Sequence, residues 1–401
     1  MAYHTQTACR KFRFIIAGLL LFQFCSAQKT FKKVDKWLED NAAQMGGRAV
    51  LMIWKDGQIV YSKVENDLSR RQKMIGKFVA KKTGKDADEL IQDYTTTTKE
   101  RIASCSKWLS AATVMSFADE GKLSLDDSVG KFLPVMTANG KGGIKLWQCL
   151  SHLTGIKQTG VMATAKAGDG DEETTGSSLR GRLQQRKDAG NTNKFEGKWS
   201  SMDAAIDSIA HQPMEGEPGK TFHYGNAGLQ IAAAVIEKIS GKDFKTLFAE
   251  RIGIPCEMSA TDWGPNKVPL AAGGAFSTPE DYLKFLTMIL AEGKYKGKQV
   301  LSKASVIQMQ LNRVSEDCNI VSSPAEAGNW GYGFGEWVMD DATGNTRSKA
   351  VTSPGLFGSF PWVDNEKKYC AILFTFYIKN KGRNERYKEL KQLVDEALER
   401  K

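Results

Sequence analysis

Strand-like segments gather at the two ends of this chain and helical ones fill its middle, and no other feature restricts the fold as much. Near the start, Val50 to Trp54 and Gln58 to Ser62 read as two strands joined by a Lys55-Asp56-Gly57 turn. Near the end, Gly331 to Met339, Gly358 to Val363 and Tyr369 to Tyr377 read as strands, with Asp364-Asn365-Glu366-Lys367 turning between the last two. Strands so placed bury their apolar faces best in one sheet built from both terminal regions. The expected fold is therefore α+β. An antiparallel sheet is flanked by the N- and C-terminal helices, Phe31 to Met45 and Glu385 to Arg400, and a mostly helical lobe is inserted on the other side. A single domain over residues 28–401 results, with a sheet lobe from about 28–115 and 270–401 and a helical lobe from about 116–269.

Inside that frame, helical spacing runs from Ser104 through Trp108, Ala111, Ala112 and Met115 to a stop at Gly121. Further helices are expected at Lys145 to Leu153, Ser201 to Ala210, Ala227 to Ser240 (closed by Gly241) and Asp281 to Ala291. The lysine-rich stretch between Glu65 and Glu100 is expected to hold one helix, over Asp86 to Tyr94. Lys166 to Lys198 reads as an exposed excursion. Its Asp169, Asp171, Glu172 and Glu173 lack the spacing of a calcium loop, so no metal is assigned there.

The first 27 residues have the form of a secretory signal. Arg10, Lys11 and Arg13 precede the apolar run Phe14 to Phe24, and Cys25-Ser26-Ala27 offers small residues for cleavage. Lipid modification at Cys25 is the competing reading, disfavoured by bulky Phe24 before it. Export to the periplasm or beyond is expected, with no stable membrane span once the signal is removed. The net charge of +10, less the three leader cations, leaves about +7. That surplus forms no basic stripe interleaved with aromatics, so nucleic-acid binding is not expected. Cys105, Cys149, Cys256, Cys318 and Cys370 follow the leader at wide, irregular spacing, which is neither a disulfide framework nor a zinc pattern.

The chemistry centres on Ser104-Cys105-Ser106-Lys107. Three residues apart on a helix, Ser104 and Lys107 share a face, so an amine can take the proton that makes the hydroxyl a nucleophile. At the helix start, free N–H groups and the dipole also favour a developing oxyanion. The same spacing recurs at Ser26 to Lys29, in the leader, and at Ser128 to Lys131, in a Gly- and Pro-punctuated stretch. A second constellation is Tyr224-Gly225-Asn226. A phenol beside a lysine ammonium can be held ionised and act as base or acid. The Asn amide can serve a substrate carbonyl and the lysine, or simply cap the helix after it.

Taken together with Leu150-Ser151-His152-Leu153-Thr154-Gly155, Ala271 to Pro279 and Gly355-Leu356-Phe357-Gly358, these motifs resemble the serine beta-lactamase and penicillin-binding-protein superfamily. The likeness is to its class C beta-lactamase-like branch. The resemblance implies that Ser104 is the acylated nucleophile, Lys107 its proton partner, Tyr224 the general base and acid, and Asn226 a substrate-positioning amide. It implies no cofactor and no metal. It places the third motif at Ser353-Pro354-Gly355, with Ser353 and Gly355 beside the substrate and the N–H groups of Ser104 and Leu356 as oxyanion hole. Ser353 lacks the cation or imidazole usual there. Lys82-Thr83-Gly84 has that motif's letters but precedes the nucleophile and follows no strand.

With only His152, His211 and His223 after the leader, and no Gly-x-Ser-x-Gly elbow, a Ser-His-Asp hydrolase is disfavoured. The expected protein is an exported serine hydrolase, an esterase or amidase acting on a small ester, amide or peptide. The alternatives are a D-alanyl-D-alanine carboxypeptidase or beta-lactamase and, from another class, a weakly catalytic relative that binds a cell-wall ligand. Nothing in the sequence fixes the oligomeric state.

Overall fold

The computed structural model describes residues 30–84, 86–158, 199–378 and 381–399. The leader with Cys25 and the 166–198 excursion with its acidic group lie outside the described residues. Helix α1 (Lys32–Ala42) buries Val34, Trp37, Leu38 and Ala42, the stripe its spacing predicts. Strands β1 (Arg48–Lys55) and β2 (Gln58–Asn66) form the expected hairpin. Asp56 and Gly57 turn it at φ 51° and 85°, the left-handed pair that suits a two-residue loop between twisted strands.

Five strands from the other end complete the sheet: β3 (Gly331–Tyr332), β4 (Trp337–Val338), β5 (Ala350–Thr352), β6 (Phe360–Asp364) and β7 (Tyr369–Thr375). The seven run in the order β2-β1-β7-β6-β5-β4-β3, every neighbouring pair antiparallel. The two termini thus meet at the β1–β7 pairing, where Ala49 lies opposite Thr375 and Lys55 opposite Tyr369. Residues 49–53 of β1 are all buried because both faces of the sheet are covered. Ala49, Leu51 and Ile53 join Ala371 and Leu373 under the terminal helices, whereas Val50 and Met52 join Ile372 and Phe374 under the helical lobe. A fully buried Leu, Ile or Phe contributes about 1.5–3 kcal/mol, so this double burial makes the β1–β7 seam the anchor of the fold.

Helix α2 (Arg70–Thr83) and the short α3 (Ala87–Ile91) replace the single helix expected over Asp86 to Tyr94. The end signals of α2 are sound: Ser69 and Gln72 form a reciprocal capping box and Gly84 closes it at φ 69°. What it lacks is an apolar stripe facing inward, which is why periodicity missed it. Lys82-Thr83-Gly84 is merely its C-terminal end. Helix α4 (Ser106–Asp119) is buried on every side from Ser106 to Phe117, as a central helix must be. Helix α5 (Ala227–Ser240) packs against it and ends on Gly241 at φ 70°. Helix α6 (Arg383–Glu399) lies beside α1 on the far face of the sheet.

The single strand expected over Gly331 to Met339 is instead the tight β3–β4 hairpin. Gly335, at φ 76°, forms part of its turn, and a Cβ there would stand 2.4 Å from the Lys107 carbonyl oxygen. The turn is pressed against the helix that carries the lysine, an approach only glycine permits.

Candidate active site

The turn that carries Ser104 is strained. Ala103 has φ 44°, a left-handed conformation unusual for a residue with a Cβ. It leads into a 3₁₀ turn, Ala103–Cys105, that runs on into α4. Ser104 stays partly exposed, while Lys107, one turn further in, is only 1% exposed. Lys107 Nζ lies 3.1 Å from Ser104 Oγ, 3.3 Å from Asn226 Oδ1 and 3.0 Å from the Ala272 carbonyl oxygen. Three acceptors match the three protons of an ammonium. None is a carboxylate, and burial pushes the amine down to about 7, where it can exist neutral and accept a proton.

Tyr224 completes the cluster. Its hydroxyl interacts with that of Ser104 and with the Trp337 indole, and its ring packs among His152, Tyr332 and Trp337. The expectation that a lysine ammonium would hold this phenol ionised is not met. Burial pushes the phenol up, and Lys107 Nζ sits over the ring face, 4.7 Å from its centroid, rather than against the oxygen. The geometry brings the Lys107 amine and the Tyr224 hydroxyl both to the Ser104 hydroxyl, with the amine over the ring face of the phenol.

Asn226 occupies the N-cap position of α5 but makes no side-chain cap. Gln158 does that work: its Oε1 accepts from the N–H groups of Asn226 and Ala227, each at 3.2 Å. Gly225 is what lets Gln158 in, since a Cβ there would meet Oε1 at 2.3 Å. Relieved of capping, the Asn226 amide turns to Lys107. Sequence reasoning passed over Gln158, and no local signal ties a glutamine to a helix start 68 residues later.

His152 packs against Tyr224 and Tyr332. It is buried at φ 58°, its Nε2 lies 3.1 Å from the Tyr332 hydroxyl, and burial holds it well below its usual range. His223 is paired instead with Glu215. Cys105 is a buried free thiol pushed up by burial, as are Cys149, Cys256 and Cys370. No cluster able to hold a metal ion is found among the described residues.

The beta-lactamase family model matches residues 34–398. The chain belongs to that family. Protein Rv1367c of Mycobacterium tuberculosis is 24% identical over 315 residues, 65% of this chain and 71% of that protein. Among solved structures, a putative beta-lactamase from Bacteroides dorei superposes with a TM-score of 0.70 at 23% identity, over 92% of this chain and 98% of its own. EstCE1, described as a hydrolase with promiscuous acyltransferase activity, gives 0.67 at 18% identity, over 93% and 100%. At these identities the structural likeness speaks for the fold.

Within this beta-lactamase-family chain the third motif departs from expectation. Ser353 is 1% exposed, and its hydroxyl lies 2.9 Å from the Gly335 carbonyl oxygen and 3.2 Å from that of Ser104. It tethers main chain to main chain and does not offer itself to a substrate. Gly355 likewise acts by its lack of a side chain: a Cβ would stand 2.4 Å from the Ile102 carbonyl oxygen, so the strand end can lie against the nucleophile turn. Lys349 does not supply the missing cation, because it is exposed and pairs with Glu366 at 2.9 Å. The N–H groups of Ser104 and Leu356 make no backbone hydrogen bond among the described residues, which leaves them available to an oxyanion. Arg383 of α6, fully buried, donates from Nη1 to the Leu356 carbonyl oxygen at 3.0 Å and steadies that turn from behind.

Proposed function

We propose that this protein is an exported serine hydrolase that forms an acyl-enzyme on Ser104, an esterase or amidase whose substrates carry no carboxylate beside the scissile bond. One observation carries the reading: a lysine buried without a carboxylate partner, pushed down to about 7 and 3.1 Å from a partly exposed serine hydroxyl. Ser104 Oγ bonds to the substrate carbonyl carbon while its proton passes to neutral Lys107. The carbonyl oxygen takes up the negative charge and is met by the N–H groups of Ser104 and Leu356. As the bond to the leaving group breaks, the alkoxide or amine receives a proton by way of the Tyr224 hydroxyl. Water then attacks the ester on Ser104, a carboxylic acid departs, and the serine recovers its proton. The substrate preference rests on Ser353, whose buried hydroxyl leaves no cation at the third motif to bind a substrate carboxylate.

A fluorophosphonate and a fluorescent penicillin, each applied to the wild type and to Ser104→Ala, test this. Labelling of the wild type by the fluorophosphonate alone, lost in Ser104→Ala, is the expected result. Labelling by both moves the protein to the penicillin-recognising enzymes, and labelling by neither makes it a binding protein.

A further inference from the structure

Helix α2 is built the wrong way round for a helix of a globular core. Its small residues face inward: Ala80 is 2% exposed, and a Cβ on Gly76 would lie 2.5 Å from Ile91 Cγ2 of α3. Its large apolar residues face out, Met74 at 68%, Phe78 at 67% and Ile75 at 52% exposure. On a helical wheel these three span about 100°. Around and between them stand Arg70, Arg71, Lys73, Lys77, Lys81 and Lys82, with no acidic residue in the fourteen of the helix. None of the six cations is engaged in an ion pair among the described residues. Six positive charges on one short helix compare with a net +10 for the whole chain, so the surplus, expected to form no stripe interleaved with aromatics, does form one here around Phe78.

We propose that α2 docks the protein on an anionic lipid bilayer, with its cations among the headgroups and Met74, Ile75 and Phe78 in the headgroup–acyl boundary. The charge sign selects an anionic partner. The interleaved apolar side chains select a lipid surface, which takes both kinds of group at once; a nucleic-acid backbone would leave the Phe78 and Met74 side chains in water. The capping box and Gly84 keep the helix formed before it binds, so little ordering cost remains.

The test is cosedimentation of the full chain with vesicles of phosphatidylcholine alone or mixed equally with phosphatidylglycerol, at low and high salt. The expected result is binding that needs phosphatidylglycerol and weakens with salt. Lys77→Gln with Lys81→Gln should weaken it about 20- to 30-fold, near fivefold per cation. Met74→Ser with Phe78→Ser should weaken it about tenfold or more while leaving the salt dependence in place. Unchanged melting temperatures show that the variants fold. All variants share one N-terminus, so differences among them read α2 alone. Equal sedimentation of wild type and both double variants overturns the proposal, as does indifference to phosphatidylglycerol. Duplex DNA that binds wild type and Met74→Ser/Phe78→Ser equally, and displaces the vesicles, overturns it in favour of nucleic acid.

Discussion

Ser104 with Lys107 and Ser128 with Lys131 share the same letters, the same spacing and a similar tight turn of chain, yet only one pair is placed to do chemistry. Lys131 is 59% exposed in its side chain and bonds Asp127 at 2.9 Å. Ser128 takes its hydrogen bond from a different lysine, Lys145, at 3.2 Å. Lys131 is thus turned to solvent and to Asp127, away from the Ser128 hydroxyl. Lys107 is buried and pairs with no carboxylate among the described residues, and burial brings it to where it can be neutral. A four-residue pattern therefore means little until the dielectric around it is known.

The contrast is broken most directly by mutation. Lys107→Ala and Tyr224→Phe should each lower the rate of Ser104 acylation about 100-fold or more, whereas Lys131→Ala should leave it within about twofold. Fluorophosphonate labelling rates measure all three, and a Lys107→Ala protein that labels at full rate removes the lysine from the mechanism.

The pH dependence sharpens it next. In the proposed mechanism neutral Lys107 accepts the proton, so kcat/KM should fall about tenfold per pH unit below an inflection near 7 and stay level just above it. Lys131→Ala should show the same profile. An acidic limb displaced to the carboxylate range would point to a different base.

Stability gives the smallest signal. The folded chain holds fewer protons at Lys107 than the unfolded chain between about 7 and 10.5, so stability should rise as pH rises through that window. Below it, burying the amine costs up to about 5 kcal/mol, at 1.36 kcal/mol per unit. Lys107→Met should flatten that dependence and raise the melting temperature at mildly acid pH, while Lys131→Met should change neither. Thermal melts across the window decide between them.

Much of this was legible in the amino-acid order. The hairpin at Asp56-Gly57, the apolar runs of β1 and β7, and the α1 stripe of Val34, Trp37 and Leu38 are local patterns with local causes. The association of Ser104 with Lys107 is one turn of helix, and the motifs downstream of it, in their order, pointed to Tyr224 and Asn226. What escaped depends on contacts between distant segments. Whether Asn226 caps its helix is decided by Gln158; whether Tyr224 ionises is decided by its burial and by Lys107 lying on its ring. Ser353 could be named from order alone, but that its hydroxyl ties Gly335 and Ser104 together could not. Helix α2 was missed because the usual inward apolar stripe is replaced by Gly76 and Ala80.

Arg383 ties the last described helix to the turn beside Ser104. It reaches the Leu356 carbonyl from α6, the last helix described, while the serine it serves lies in the first third of the chain. During synthesis the hydroxyl, the amine and the phenol are all made well before the guanidinium that braces the turn opposite them. A half-made chain thus lacks the brace on the Leu356 turn until the final helix has closed over the sheet.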